Sequence, residues 1–230
     1  MMNSKLPDEI LRYLALVERD EPRQCREQHA LVRHIRNCFA TEDIYVDAAQ
    51  LANYLHIVRY FPFEKIFPWE EFVFALWNCT YKADKTPRWK TLLCMVGRGA
   101  GKDGYIAFDA ACSVSPYNPV SHYNVDICAN NEEQAVTPVK DFAEVLESPK
   151  HQAKLSRHYY HTKELIQGRK NKGVVKGRTN NPKGRDGMRS GKVIFNEVHQ
   201  FENYDNIKVF ITVRARSLSR ASVFSHPMAT

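Results

Sequence analysis

No stretch of the 230-residue chain approaches 18 consecutive apolar residues, so a membrane-spanning helix is not expected. The six cysteines (Cys25, Cys38, Cys79, Cys94, Cys112, Cys128) include no C-x-x-C pair. The nine histidines are equally dispersed, so neither a disulfide framework nor a zinc site has the spacing it needs. Several cysteines sit inside apolar runs, where a free thiol behaves as a small hydrophobe. The segment Met1 to Ile10 lacks the basic-then-apolar layout of a signal peptide. A cytoplasmic protein with no membrane partner is the expectation. Hydrophobic content of 43% and charged content of 26% suit a chain that buries a core. Its length allows one large domain, or one domain with a helical appendage.

Acidic residues are in the minority. The net charge of +7 permits a polyanionic partner. Between Lys163 and Lys192 ten Lys or Arg face only two acids, Glu164 and Asp186, which fits either a solvated basic loop or contact with phosphates.

The first 80 or so residues read as helical and aromatic-rich. Pro7-Asp8-Glu9 opens a helix through Arg19, and Pro22 opens a second through Asn37 or Phe39. Leu51, Tyr54, Leu55 and Val58 give Asp47 to Tyr60 a helical spacing, and Phe72, Val73, Leu76 and Trp77 do the same for Trp69 to Tyr81. Aromatic stripes of this kind are core. From residue 83 the pattern changes to strands alternating with helices: Trp89 to Val96, Tyr123 to Ala129, Gly173 to Lys176 and Lys192 to Phe195 as strands. A helix running to about Cys112 and another over Asn131 to Glu147, which Pro138 kinks or displaces, lie between them. That alternation points to an α/β domain with a largely parallel sheet, whose ligands bind at the carboxyl ends of the strands.

Two such ends carry chemistry. The run Leu92 to Val96 ends in Gly97, Arg98, Gly99, Ala100, Gly101, Lys102 and Asp103, after which a helix begins. Glycine-rich backbone closes around phosphate oxygens, the helix N-terminus adds its positive end, and the lysine reaches the terminal phosphates. The pattern is imperfect: Val96 stands where a further glycine belongs, and Asp103 where Ser or Thr belongs. The strand Lys192 to Phe195 ends at Asn196-Glu197. Nucleotide hydrolysis needs a phosphate cradle, Mg²⁺ and a carboxylate that orients water, and Glu197 is placed for the last role. The usual Mg²⁺ partners, a hydroxyl after the lysine and an aspartate ending the later strand, are here Asp103 and Asn196. A carboxylate gained in one loop and lost from the other preserves the charge around a hard cation if the two face each other. Arg98 is either a γ-phosphate contact or a surface arginine.

The combination of G-R-G-A-G-K-D (97–103), A-N-N-E-E-Q-A (129–135), Asp186-Gly187 and V-I-F-N-E-V-H-Q-F (193–201) resembles the large terminase subunit of tailed bacteriophages, over roughly residues 60 to 205. The resemblance implies an ATP-driven motor that packages double-stranded DNA into a procapsid. It would act as a homo-oligomeric ring at the portal protein, with a small terminase subunit supplying the DNA. Its place would be the host cytoplasm, and it would be absent from the mature virion. It further implies that Lys102 and Asp103 meet phosphate and Mg²⁺, that Asn196 lies at the metal, that Glu197 is the catalytic carboxylate and that Arg98 acts near the γ-phosphate. An adenine-contacting segment corresponds to Pro68-Trp69-Glu70, where Glu70 replaces the family's glutamine.

The expected organisation is a helical N-terminal subdomain at 1–82, a P-loop NTPase-type core at 83–212 with a mostly parallel sheet flanked by helices, and a basic tail at 213–230. That tail, rich in Arg, Ser and Ala, continues no strand–helix pattern, and it resembles neither the family's coupling motif nor its nuclease domain. No nuclease activity is expected. The alternatives are a truncated, catalytically weak or inactive terminase remnant and another DNA-dependent P-loop ATPase.

Overall fold

Apolar side chains recur at three- and four-residue intervals through the first 80 or so residues, and the helices form where they do. The computed structural model describes residues 6–63, 65–97, 99–162, 164–179, 190–201 and 220–225. Arg98 and Asp186-Gly187 lie outside the described residues, as do 202–219 and 226–230. The chain divides into two units, Met1–Leu55 with Lys65–Trp89, and His56–Glu64 with Lys90–Thr230. The division thus follows Trp89 rather than residue 82, and the segment 56–64 belongs to the second unit.

In the first unit α1 (Asp8–Arg19) buries Ile10, Tyr13, Leu14 and Val17, a spacing that places all four on one face. α2 (Arg26–Thr41) buries Val32, Ile35 and Cys38. After β1 (Ile44–Val46), the Asp47 carboxylate accepts from the Gln50 N–H at 2.9 Å and caps α3 (Ala48–Leu55). α4 (Pro68–Cys79) is followed by β2 (Thr80–Lys82), antiparallel to β1. Tyr13 of α1 stacks on Phe72 of α4 with centroids 4.4 Å apart.

The second unit begins with a 3-10 turn, His56–Tyr60, which ends the helical spacing after Leu55. It continues with β3 (Thr91–Met95), α5 (Lys102–Ser113), β4 (Asn124–Ala129), α6 (Glu132–Glu147), α7 (Gln152–Leu155), β5 (Tyr159–His161), β6 (Leu165–Gly168), β7 (Val174–Thr179) and β8 (Ser190–Phe195). A short 3-10 turn at Val198–Gln200 precedes β9 (Arg220–Ser225). The seven strands lie in the order β3-β9-β8-β4-β7-β6-β5; the first five are mutually parallel, and β6 and β5 form an antiparallel edge. This is the expected mostly parallel, helix-flanked sheet.

Part of the tail departs from expectation. Arg220–Ser225 is a central strand, between β3 and β8 and parallel to both. Alternating Ala221, Val223 and Ser225 with Ser222 and Phe224 gives no apolar run, because a strand flanked on both sides takes its stability from two ladders rather than from its own side chains. α6 runs continuously through Pro138. Gly177 lies in β7 where α6 crosses, and a Cβ there would come 2.8 Å from the Ala135 carbonyl.

Two residues of the basic stretch are bonded inward. The Arg178 guanidinium donates to Asp126 at 2.8 Å. Lys192 is 1% exposed, and its ammonium donates to both Asp109 carboxylate oxygens at 2.7 and 2.9 Å. This buried pair ties α5 to β8.

Candidate functional site

β3 and β8 end at the same edge of the sheet because β3, β9, β8, β4 and β7 all run in one direction. After β3 the backbone turns through Gly99 and Gly101, each with φ of 76°. L-residues avoid that region because Cβ crowds the carbonyl oxygen, so glycine makes this turn at low cost. Gly101 is the N-cap of α5 and offers no side-chain acceptor, so the positive end of the helix faces the loop uncapped by a side chain. Lys102, the first helical residue, is 5% exposed.

The Lys102 ammonium donates to Glu197 Oε1 at 2.8 Å, to Asp103 Oδ1 at 3.2 Å and to Asn196 Oδ1. Asn196 Nδ2 donates in turn to Asp103 Oδ1 at 3.0 Å. The two departures from the usual pattern therefore face each other across the gap between β3 and β8. Glu197 holds a left-handed backbone, φ 56° and ψ 46°, uncommon for a residue with a Cβ. Strain of that kind at a strand end persists where neighbouring contacts hold it; here Lys102 donates to the carboxylate, and His199 Nδ1 lies 3.4 Å from its other oxygen.

Sequence patterning singles out the E-E-Q-A start of α6 without giving it a task. Asn131 caps that helix by accepting from the Gln134 N–H at 2.9 Å. The proline at 138 has no N–H, so the Gln134 carbonyl four residues earlier receives no bond from it within the helix. That carbonyl accepts instead from Asn196 Nδ2 at 3.3 Å, while the Gln134 amide donates to Gln200 at 2.8 Å. α6 thereby reaches the loop after β8 at two points. Asp141, further along α6, has its carboxyl raised above the ordinary range by burial first and then by the charges of Asp103 and Glu144.

Trp69 and Glu70 lie in the first turn of α4, in the other unit. Glu70 is buried, and its carboxylate accepts from the Phe67 N–H at 2.6 Å, closing the helix start. Desolvation raises its pKa, and the bond from Phe67 opposes that rise more weakly. A cavity of about 680 Å³ opens within the second unit beside Gly104, walled by the Arg59-to-Phe63 segment, Asp141 and His151. Phe63 covers Gly104 so closely that a Cβ at 104 would lie 3.1 Å from its ring. Among the described residues no cluster of three or more His, Cys, Asp or Glu could hold a metal, and no helix is long and apolar enough to cross a membrane.

Reasoning from sequence misses Ser225 and gives His199 no role. The structure brings His199 Nδ1 to 3.3 Å from Ser225 Oγ and to 3.4 Å from Glu197 Oε2. His199 is detectable as a polar side chain two residues past the strand-end carboxylate, whereas Ser225 ends a strand with no apolar run to mark it.

The chain matches no protein-family profile and no curated protein. Its fold is similar to that of solved large terminases. The HK97 bacteriophage large terminase superposes with a TM-score of 0.64 at 16% identity, over 78% of this chain and 38% of that protein. The large terminase of a thermophilic bacteriophage gives 0.52 at 11% identity, over 68% and 38%. The same thermophilic phage protein in complex with ADP gives 0.51 at 12%, over 68% and 37%. The chain therefore spans well under half the length of these three structures. At these identities the likeness establishes the fold, a P-loop-type α/β sheet of the large-terminase kind.

Proposed function

We propose that the chain is the ATP-hydrolysing part of a terminase-type motor that drives double-stranded DNA into a procapsid. The observation that carries this reading is the convergence of Lys102, Asp103, Asn196 and Glu197 at the ends of β3 and β8. Lys102 is positioned to trade its carboxylate and amide partners for β- and γ-phosphate oxygens, with the uncapped start of α5 behind it. Releasing Lys102 frees Glu197 to accept a proton or a hydrogen bond from the attacking water. Arg98 would stabilise charge at the γ-phosphate.

The oxygens of Asp103 and Asn196 suit Mg²⁺, a hard ion that takes one or two protein oxygens beside phosphates and water. These two residues would hold it, and the bound ion would neutralise charge building on the phosphates. Together they contribute one negative charge, as the usual hydroxyl and aspartate do. The cavity beside Gly104 suits the nucleoside, being within the range of small-molecule sites and adjoining the helix that binds the phosphates. The reading includes, as partners, double-stranded DNA, a portal protein, a small terminase subunit and further copies in a ring, all in the host cytoplasm. Asp103 and Asn196 also favour a second reading, a catalytically weak remnant that binds DNA.

Measuring ATP turnover with and without double-stranded DNA separates the two. The motor reading expects DNA-stimulated turnover that falls about 100-fold or more in Lys102→Ala. Salt-sensitive DNA binding with no turnover would favour the remnant. Asn196→Asp places two carboxylates at the metal, and a sharp rise in turnover would refute the idea that Asp103 compensates for Asn196.

A further inference from the structure

The side chains around Glu197 form a chain that extends past the nucleotide-facing residues. Lys102 holds Glu197 Oε1 at 2.8 Å, and His199 Nδ1 lies 3.4 Å from Glu197 Oε2. The same nitrogen lies 3.3 Å from Ser225 Oγ, at the end of β9. Ser225 also accepts, through its backbone carbonyl, from the Val96 N–H at 3.2 Å, one residue before the glycine turn. One serine is thus bonded both to the root of the phosphate loop and to the side chain beside the catalytic carboxylate.

From this geometry we infer that His199 is a positioning residue for Glu197, and that Ser225 fixes His199 so that the carboxylate's orientation follows the relative placement of β3, β9 and β8. The inference rests on the ATPase reading above. A carboxylate oxygen accepts, so for His199 to hold Glu197 its Nδ1 must carry hydrogen. Nδ1 lies 3.4 Å from Glu197 Oε2 and 3.3 Å from Ser225 Oγ. With Oε1 held by Lys102 and Oε2 by His199, the carboxylate plane has two anchors. When Lys102 turns to phosphate, His199 remains as the anchor that keeps Glu197 aimed at the water. Displacement of a reacting group by about 1 Å costs on the order of 100-fold in rate.

The test joins kinetics to a measurement on the resting protein. Long-range ¹H–¹⁵N correlation of histidine-labelled full chain, with His199 assigned by its loss in His199→Asn, should find His199 protonated at Nδ1. His199→Ala should lower kcat for ATP about ten- to hundredfold with KM for ATP changed less than about threefold. His199→Asn, whose amide Nδ2 replaces Nδ1–H, should recover most of the loss, and Ser225→Ala should fall between. Undiminished kcat in His199→Ala, or a His199 that carries no proton at Nδ1, would overturn the inference. If the unaltered chain turns over no ATP, the ATPase reading fails, and the tautomer alone then decides whether the network exists. If His199→Ala does not fold, Ser225→Ala and the tautomer decide it.

Discussion

The two strand ends that build the site reach a left-handed backbone by opposite means. After β3 the chain uses Gly99 and Gly101, which adopt φ of 76° at little cost. After β8 it uses Glu197, at φ 56°, where a Cβ makes the same region unfavourable by about 1–2 kcal/mol. Their settings differ as well. β8 is buried along its whole length, whereas Leu93 and Met95 of β3 are exposed. The glycine loop is open in composition and shaped to receive; the carboxylate loop is strained and held on several sides. A loop that must close around a ligand is built from permissive backbone, while one that must aim a single side chain is built from contacts that outweigh its strain.

The largest expected effect comes from cutting the tie beneath both ends. Asp109 and Lys192 hold α5 on β8, and each is nearly inaccessible, with side chains 3% and 1% exposed. Asp109→Ala leaves a buried, uncompensated ammonium, and urea denaturation should show a loss of about 3–5 kcal/mol. Asp109→Leu with Lys192→Met should recover most of it. Failure of the double variant to recover would mean that the pair does more than hold two elements together.

The backbone comparison is sharpened by exchanging the two solutions. Gly101→Ala should lose about 1–2 kcal/mol, since the added Cβ meets open space and only the φ is unfavourable. At the other end the useful contrast is Glu197→Gly against Glu197→Ala, both of which lack the carboxylate. Denaturation should find the glycine variant more stable by about 1 kcal/mol, the relieved strain less the greater freedom of unfolded glycine. A glycine variant less stable than the alanine variant by about 0.5–1 kcal/mol would show that Glu197 is not strained.

The smallest effect tests a held carboxylate in the first unit. Burial raises the Glu70 pKa above that of the unfolded chain. The folded state therefore keeps its proton longer, and stability falls as pH rises from the ordinary carboxylate range through the raised value. Glu70→Gln keeps an acceptor for the Phe67 N–H and carries no charge. It should flatten that fall and exceed the wild type in stability at neutral pH, measured by thermal melts across pH. A variant that tracks the wild type at every pH would refute the desolvated-carboxylate account.

Where one residue type answers one local need, the sequence is legible. α1 reads at its actual bounds, Asp8–Arg19, because its apolar period and acidic first turn agree. The glycine turn stands out for the same reason, and the strand before Asn196-Glu197 is visible as a short apolar run. The antiparallel edge strands β5 and β6 escape notice because each is only three or four residues long. β9 escapes because its partners are far away in the chain, with Thr91 paired to Ala221 and Lys192 to Arg220. From sequence the facing of Asp103 and Asn196 is a condition rather than a contact. Spacing along the chain cannot supply it, since it depends on α5 and β8 being tied together.

The position of β9 also sets the order in which the protein is made. β3 and β8 are not neighbours, and the strand between them keeps them roughly 10 Å apart. Both loops have been synthesised well before Arg220–Ser225, the segment that fills the place between β3 and β8. Contacts of such sequence distance carry a loop-closure cost that slows folding. The least conspicuous six residues are thus made after both loops, and they complete the sheet that spaces them.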